Sequence, residues 1–172
     1  VLKYQYGAKY MQTTGWRLGS RYTEPALCRD LALKRDVDCI GGHGIRPFLS
    51  LGKQAEKFQW FTVVRAPRSR VVSHYVYDVQ TGRGSWPSFE AGMGDGHENY
   101  QCRWIAGEAD AKKAIEIVEE KFISVGLQDR FEESMRHLAT VKGWARVVCP
   151  PARVNATQDG VLKKKARDEA LE

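Results

Sequence analysis

An α/β domain with a mostly parallel sheet is what this sequence predicts, on three observations. Short apolar runs such as Phe58–Val64 and Phe122–Leu127 have the length and continuity of buried strands. They alternate with amphipathic stretches of helical spacing at 70–79, 109–120 and 130–138. Helix-like segments follow the strand-like ones closely, the order that builds parallel strands joined by helical crossovers. A chain of 172 residues is long enough to bury the core of one such domain.

Val1–Tyr6 alternates loosely and predicts a short strand, followed by Gly7 and a polar turn rich in Thr and Gly. Pro25–Lys34 spaces Ala26, Leu27, Leu31 and Leu33 as a helix, with Thr23 or Glu24 near its start. Asp38–Ile40 leads into a Gly-Gly-His-Gly turn. Phe58–Val64 predicts a strand buried on both faces. Pro67 stands three residues beyond it, a place tolerated in the first turn of a helix, and Arg70–Val79 reads as that helix. Thr81–Gly96, with five glycines and one proline, reads as a long loop. Ala109–Glu120 predicts an amphipathic helix, Phe122–Leu127 a strand, Arg130–Leu138 a helix and Val147–Val148 a last strand before Pro150-Pro151. No internal repeat or low-complexity tract divides the chain. Residues 1–172 therefore read as a single domain, open to truncation at one or both ends.

The formal charge of +6 favours anionic partners: nucleotides, acidic polysaccharides, nucleic acids or anionic membranes. Much of that charge is dispersed, and the block Lys163–Lys165 reads as a solvated helix face. No run of about 18 apolar residues predicts a membrane span. The four cysteines, Cys28, Cys39, Cys102 and Cys149, form no CxxC pair, which argues against a zinc or thioredoxin-type site. Buried free thiols are expected, with two disulfides as the alternative. No metal-ligand cluster is visible, so no metal is expected.

The segment that carries chemistry is Phe61–Tyr77. A buried strand delivers Arg65 to its carboxyl end, where α/β sheets bind ligands, and a helix starts almost at once. Ser73 follows eight residues later, about two helical turns along. An arginine fork and a hydroxyl converging on one spot make a phosphate site, because guanidinium gives bidentate charged hydrogen bonds. Locally, the same residues would also serve as a structural cap.

This stretch resembles the 3′-phosphate-binding motif of sulfotransferases that use 3′-phosphoadenosine-5′-phosphosulfate, where strand, Arg, Pro, Arg, Ser and Tyr recur at this spacing. The resemblance implies that Arg65 and Ser73 hold the 3′-phosphate of that donor and that Arg70 matches a second, structural arginine. Ala66 replaces an acidic residue often found there. Asn99–Gly107 and Phe122–Ser134 resemble two further blocks of the carbohydrate branch, the heparan sulfate 2-O-sulfotransferase-like group. The likeness covers roughly Cys39 to Ser134, and more faintly Asn155. It implies a three-layer, P-loop-like domain whose central sheet is flanked by helices.

In that family a Pro-Lys-Thr-Gly-Gly-Thr-Ser type turn cradles the 5′-phosphosulfate with backbone N–H groups. Gly7–Gly15 keeps the Lys-to-Thr spacing with Lys9, Thr13 and Thr14, while Tyr10, Met11 and Gln12 replace small residues. The alternative is a loop upstream, with Lys9 a surface lysine. Gly41–Phe48 resembles the family's Gly-His turn, which makes His43 the base that takes the acceptor proton. Lys9 is then expected to stabilise the leaving phosphate. Arg46, beside that base, and Arg83, in the loop that also holds Trp86, are the expected contacts to the acceptor, a carbohydrate or other hydroxyl compound, anionic or not. Such a loop is also an ordinary surface connection.

A P-loop kinase-like phosphotransferase is the nearest rival, but no GxxxxGK[ST] sequence occurs. A non-catalytic nucleotide- or polyanion-binding module is a second, because the turn at Lys9 is unusual. A nucleic-acid partner is not expected, since no recognisable motif supports one. Nothing in the sequence bears on oligomeric state. Within the family resemblance a bacterial cytoplasmic setting is expected, with the Golgi lumen as the alternative if an N-terminal anchor has been removed.

Overall fold

The computed structural model describes residues 2–13, 37–42, 45–47, 58–84, 88–92, 99–147 and 149, together with 160, 164, 166 and 168. Its strands form two parallel pairs. Strand β1 (Tyr10–Thr13) lies beside β2 (Cys39–Gly42), with Tyr10 opposite Cys39 and Thr13 opposite Gly42. Strand β3 (Trp60–Val64) lies beside β4 (Phe122–Leu127), with Val63 opposite Gly126 and Val64 opposite Leu127. Parallel neighbours need long crossovers, and the helices between β3 and β4 supply one. The chain is thus mixed helix and strand with parallel pairing, as an α/β protein requires.

The first departure from expectation is at the start. Leu2–Tyr6 is a helix, α1, and Gly7–Lys9 a 3-10 turn. The strand comes later, at Tyr10–Thr13, where a loop was expected. Tyr10 explains the shift: its ring lies over Gly41 of β2, and a Cβ on that glycine would stand 2.7 Å from the phenol oxygen. The loose alternation of Val1–Tyr6 has no such partner strand among the described residues.

Helix α2 (Pro67–Gln80) leaves β3 through Arg65 and Ala66. Ala66 stays extended (φ -50°, ψ 126°), as a residue before proline is driven to do, and Pro67 opens the helix with a pre-set φ. Val72, Tyr75 and Val76, spaced as one helix face, are buried with Phe89 of the short helix α3 (Phe89–Gly92) and Ala166. Tyr75 and Phe89 meet edge to face at 5.4 Å. The expected loop from Thr81 to Gly96 therefore holds a helical turn that seals the core. Helix α4 (Tyr100–Ala106) was not anticipated as a helix; it ends at Gly107 in the left-handed region (φ 84°).

Helix α5 (Ala111–Lys121) is capped by Asp110, whose carboxylate accepts from the Lys113 N–H at 3.1 Å. After β4 and a 3-10 turn at Gln128–Arg130 comes α6 (Phe131–Lys142), whose buried face is Met135, Leu138 and Ala139. A bulge at the start of the β3/β4 pair sets Trp60 opposite Phe122 but Phe61 opposite Ser124. β3 is half-buried along its length rather than fully buried on both faces. Of the expected strand at Val147–Val148, Val147 has no regular structure and Val148 lies outside the described residues. The expected helix at Pro25–Lys34 lies outside the described residues.

The end of α6 joins the two strand pairs. Trp144 meets Tyr6 edge to face at 5.6 Å, and Lys142 Nζ donates to Gln59 Oε1 at 2.6 Å. Among the described residues no helix is long and apolar enough to cross a membrane.

Candidate anion-binding site

Two adjacent residues of α4 gather the arginines that follow β3. The Gln101 side-chain amide clamps the backbone of Arg65: its Oε1 accepts from the Arg65 N–H at 2.8 Å, and its Nε2 donates to the Arg65 carbonyl at 2.7 Å. The amide thus substitutes for a neighbouring strand where β3 runs out. Next to it, the ring of Tyr100 lies 3.5 Å from the Arg70 guanidinium. Asn99, just before this pair, is the single non-glycine with positive φ (47°) among the described residues, a conformation asparagine tolerates better than most.

Arg70 sits one turn into α2. Its Nη2 lies 3.5 Å from His74 Nδ1, and His74 Nε2 lies 3.0 Å from Asp78 Oδ2. Positions 70, 74 and 78 recur at i, i+4 spacing, so all three share one helix face. His74 also meets the ring of Tyr100 edge to face at 6.0 Å, and Tyr100 packs on Trp104 at 5.7 Å. Arg46 lies over the other end of this aromatic row, 4.1 Å from the Trp104 ring.

The electrostatics of the corner are unbalanced. Among the described residues, Arg65 Nε and Arg70 Nη1 are buried without a hydrogen-bond partner. A buried donor left unpaired costs about 1–3 kcal/mol, and more when charged. Burial pulls the Arg70 guanidinium below its ordinary pKa and the neighbouring Arg65 charge pulls the same way, while Tyr100 opposes both. Both arginines also stand at the start of α2, where the helix dipole is positive. That first turn has no acidic residue, and Ala66 offers no capping side chain. An anion placed here would relieve the unpaired donors, the mutual repulsion and the dipole together.

Ser73 is half-buried on α2, three residues past Arg70 and so on the same side of the helix. Arg46 is drawn into the same aromatic row. Arg83 is not: it stacks on Tyr77 at 5.1 Å beyond the far end of α2, roughly 20 Å along the helix from Arg65. Its expected partner is the acceptor rather than the donor phosphate, and it stands apart from the two arginines.

The other half of the expected site is partly displaced. Lys9, in the 3-10 turn, pairs through Nζ with Asp38 Oδ2 at 2.9 Å, where both side chains are more than half exposed. It stands at the entry of β1, whereas Thr13 ends that strand, about 13 Å away. One loop cradling an anion with both is thus corrected: the intervening residues are a strand paired to β2. Thr13 instead lies opposite Gly42, the residue before His43. Thr14 and His43 lie outside the described residues.

Cys39, Cys102 and Cys149 are free, and Cys28 lies outside the described residues. Burial pushes the Cys39 thiol from its ordinary 9.0 up to about 11, which makes it a poor nucleophile at neutral pH. Tyr100, Gln101 and Trp104 are members of the site that sequence reasoning did not name individually. The signal was present, since the segment from Asn99 to Gly107 stood out and places two aromatics at i, i+4 spacing.

What fold and site define is a class: an α/β protein with a paired-arginine corner at the carboxyl end of a parallel strand. No family model, curated protein or solved structure matches the chain.

Proposed function

We propose that this chain is a sulfotransferase that moves a sulfuryl group from 3′-phosphoadenosine-5′-phosphosulfate to a hydroxyl of a carbohydrate or similar acceptor. The observation that carries the reading is the corner where Arg65 and Arg70 each bury a guanidinium nitrogen without a partner. The placement of Arg65 after a parallel strand, with Ser73 further along the following helix, is what a terminal phosphate needs. In the proposed fold the two parallel pairs belong to one sheet of a three-layer, P-loop-like domain. A bacterial cytoplasmic setting is part of the proposal, with the Golgi lumen as its alternative.

In the proposed reaction Arg65 and Ser73 hold the 3′-phosphate, and Thr13 and Thr14 hold the 5′ side. His43 takes the proton of the acceptor hydroxyl as its oxygen forms the new S–O bond. The S–O bond to the 5′-phosphate breaks, and its electron pair leaves with 3′-phosphoadenosine-5′-phosphate. Such a step depends on alignment and charge stabilisation, and remote phosphate binding supports the alignment. Arg46, which lies over Trp104 in the same aromatic row, is the proposed contact to the acceptor. The exposed ion pair of Lys9 with Asp38 favours the alternative that Lys9 is a surface lysine rather than the group that stabilises the leaving phosphate.

That displacement favours a second reading, a nucleotide- or polyanion-binding module without transfer activity. Both readings require the donor site. Calorimetric titration of 3′-phosphoadenosine-5′-phosphate should show micromolar-range binding, weakened ~10-fold or more in Arg65→Ala, about 1.4 kcal/mol. Absence of binding by the wild type would remove both readings. Turnover of the labelled donor with hydroxyl acceptors then separates enzyme from binder.

A further inference from the structure

We infer that Arg70 is a second direct ligand of the bound phosphate, and that His74 and Asp78 act through it as positioning residues. This rests on the phosphate-site reading of the Arg65 corner and extends it from one guanidinium to two.

The geometry assigns each edge of Arg70 a task. Tyr100 covers its face at 3.5 Å, and Nη2 is turned towards His74 Nδ1. Nη1 is buried and has no hydrogen-bond partner among the described residues. Gln101, next to Tyr100, fixes the Arg65 backbone by two hydrogen bonds, so a single turn of α4 locates both arginines. A residue serving only to brace the corner would have its donors occupied by the chain. Arg70 leaves one open, on the side of the helix that also carries Ser73.

The partners also fix the state of the His74 ring. Its Nε2 lies 3.0 Å from the Asp78 carboxylate, so that nitrogen carries the hydrogen. A guanidinium only donates, so Nδ1 facing Nη2 presents its lone pair. In the inferred arrangement His74 is the Nε2–H tautomer, with Nδ1 as the acceptor for Arg70. The imidazolium would turn a second N–H against Arg70. Among the described residues, the groups that face this ring include Arg70 and Asp78 on its own helix and Tyr100 on α4. Two forked guanidiniums at the 3′ subsite favour a nucleotide with a 3′-phosphate, whose several oxygens accept from both, over one with a bare 3′-hydroxyl.

The test compares 3′-phosphoadenosine-5′-phosphate with adenosine 5′-monophosphate, which lacks the 3′-phosphate, by calorimetry on the whole chain. Arg70→Met should lower affinity for the bisphosphate ~10-fold while leaving the monophosphate unchanged, which also shows that the variant is folded; Arg70→Lys should fall between. His74→Ala should cost ~3-fold, His74→Asn should recover most of that by restoring an acceptor, and His74→Ala should add nothing in the Arg70→Met background. Ring-nitrogen NMR of the free protein should give the Nε2–H pattern for His74. If Arg65→Ala loses the bisphosphate and Arg70→Met keeps it, Arg70 is structural and the inference fails alone. If the wild type binds no bisphosphate, the phosphate reading fails and takes the inference with it. Additive effects of His74 and Arg70, or an imidazolium or Nδ1–H signature, overturn the positioning role.

Discussion

Two strand-to-helix corners in this molecule are built alike and finished differently. β4 ends at Leu127 and reaches α6 through a 3-10 turn; β3 ends at Val64 and reaches α2 through Arg65 and Ala66. At the first corner Ser134 Oγ accepts from the Leu127 N–H at 2.8 Å and stands 2.9 Å from the Arg130 carbonyl, to which it can donate. Arg130 there donates to Glu133, with Nε at 2.7 Å from Oε2 and Nη2 close to Oε1. At the second corner the backbone is equally well tied, by Gln101, but two guanidinium nitrogens stay buried and open. One corner is closed by the chain's own groups, and the other keeps two buried guanidinium nitrogens without a partner among the described residues. On the proposed phosphate-site reading, the first corner serves stability and the second binding.

The largest effect that would sharpen this contrast is at Gly126. A Cβ there would stand 2.6 Å from the Ser134 Cβ, which is bound to helix backbone and cannot swing away. Gly126→Ala should lower stability by about 1–3 kcal/mol through overpacking, read by chemical denaturation, and Ser134→Gly added to it should recover part of the loss. Ser134→Ala alone should cost about 1 kcal/mol by removing the hydrogen bonds that end β4. Neither change should alter affinity for 3′-phosphoadenosine-5′-phosphate. If Ser134→Ala weakens that ligand as much as Arg65→Ala does, the two corners are not separate and the comparison breaks.

The closed corner was the more legible of the two. Phe122–Leu127 was read as a strand to the residue, because a short apolar run after an amphipathic helix has few other solutions in an α/β chain. Helices α2, α5 and α6 were read within a few residues, their ends blurred where Pro67 and Asp110 rather than the apolar spacing set the start. The failures came where tertiary contact overrode local pattern. Val1–Tyr6 alternates but has no partner strand among the described residues, whereas Tyr10–Thr13 looks like a polar turn and is held as a strand by pairing with β2. At the candidate site, the strand before Arg65 and the helix that carries Ser73 were legible from the apolar pattern and Pro67. The Gln101 clamp and the Tyr100 stack were not, because they join residues more than 25 positions apart in the chain and leave no periodic trace.

The smallest predicted change in stability discriminates most finely between the corners. In the free protein Arg70→Met removes the contact with Tyr100, worth about 0.5–2 kcal/mol. It also removes a buried unpaired donor, worth about 1–3 kcal/mol in the opposite sense, and the repulsion from Arg65. The two nearly cancel, so the free variant should unfold within about 1 kcal/mol of the wild type, on either side. With ligand at 100 times its Kd the wild type should gain about 2.7 kcal/mol, and at that same concentration a tenfold weaker variant about 1.4 kcal/mol. Stability near wild type without ligand, paired with a smaller gain in its presence, is the signature of a group kept for binding. A loss well above 2 kcal/mol in the free variant would instead make Arg70 a brace like Ser134, and both corners would then be structural.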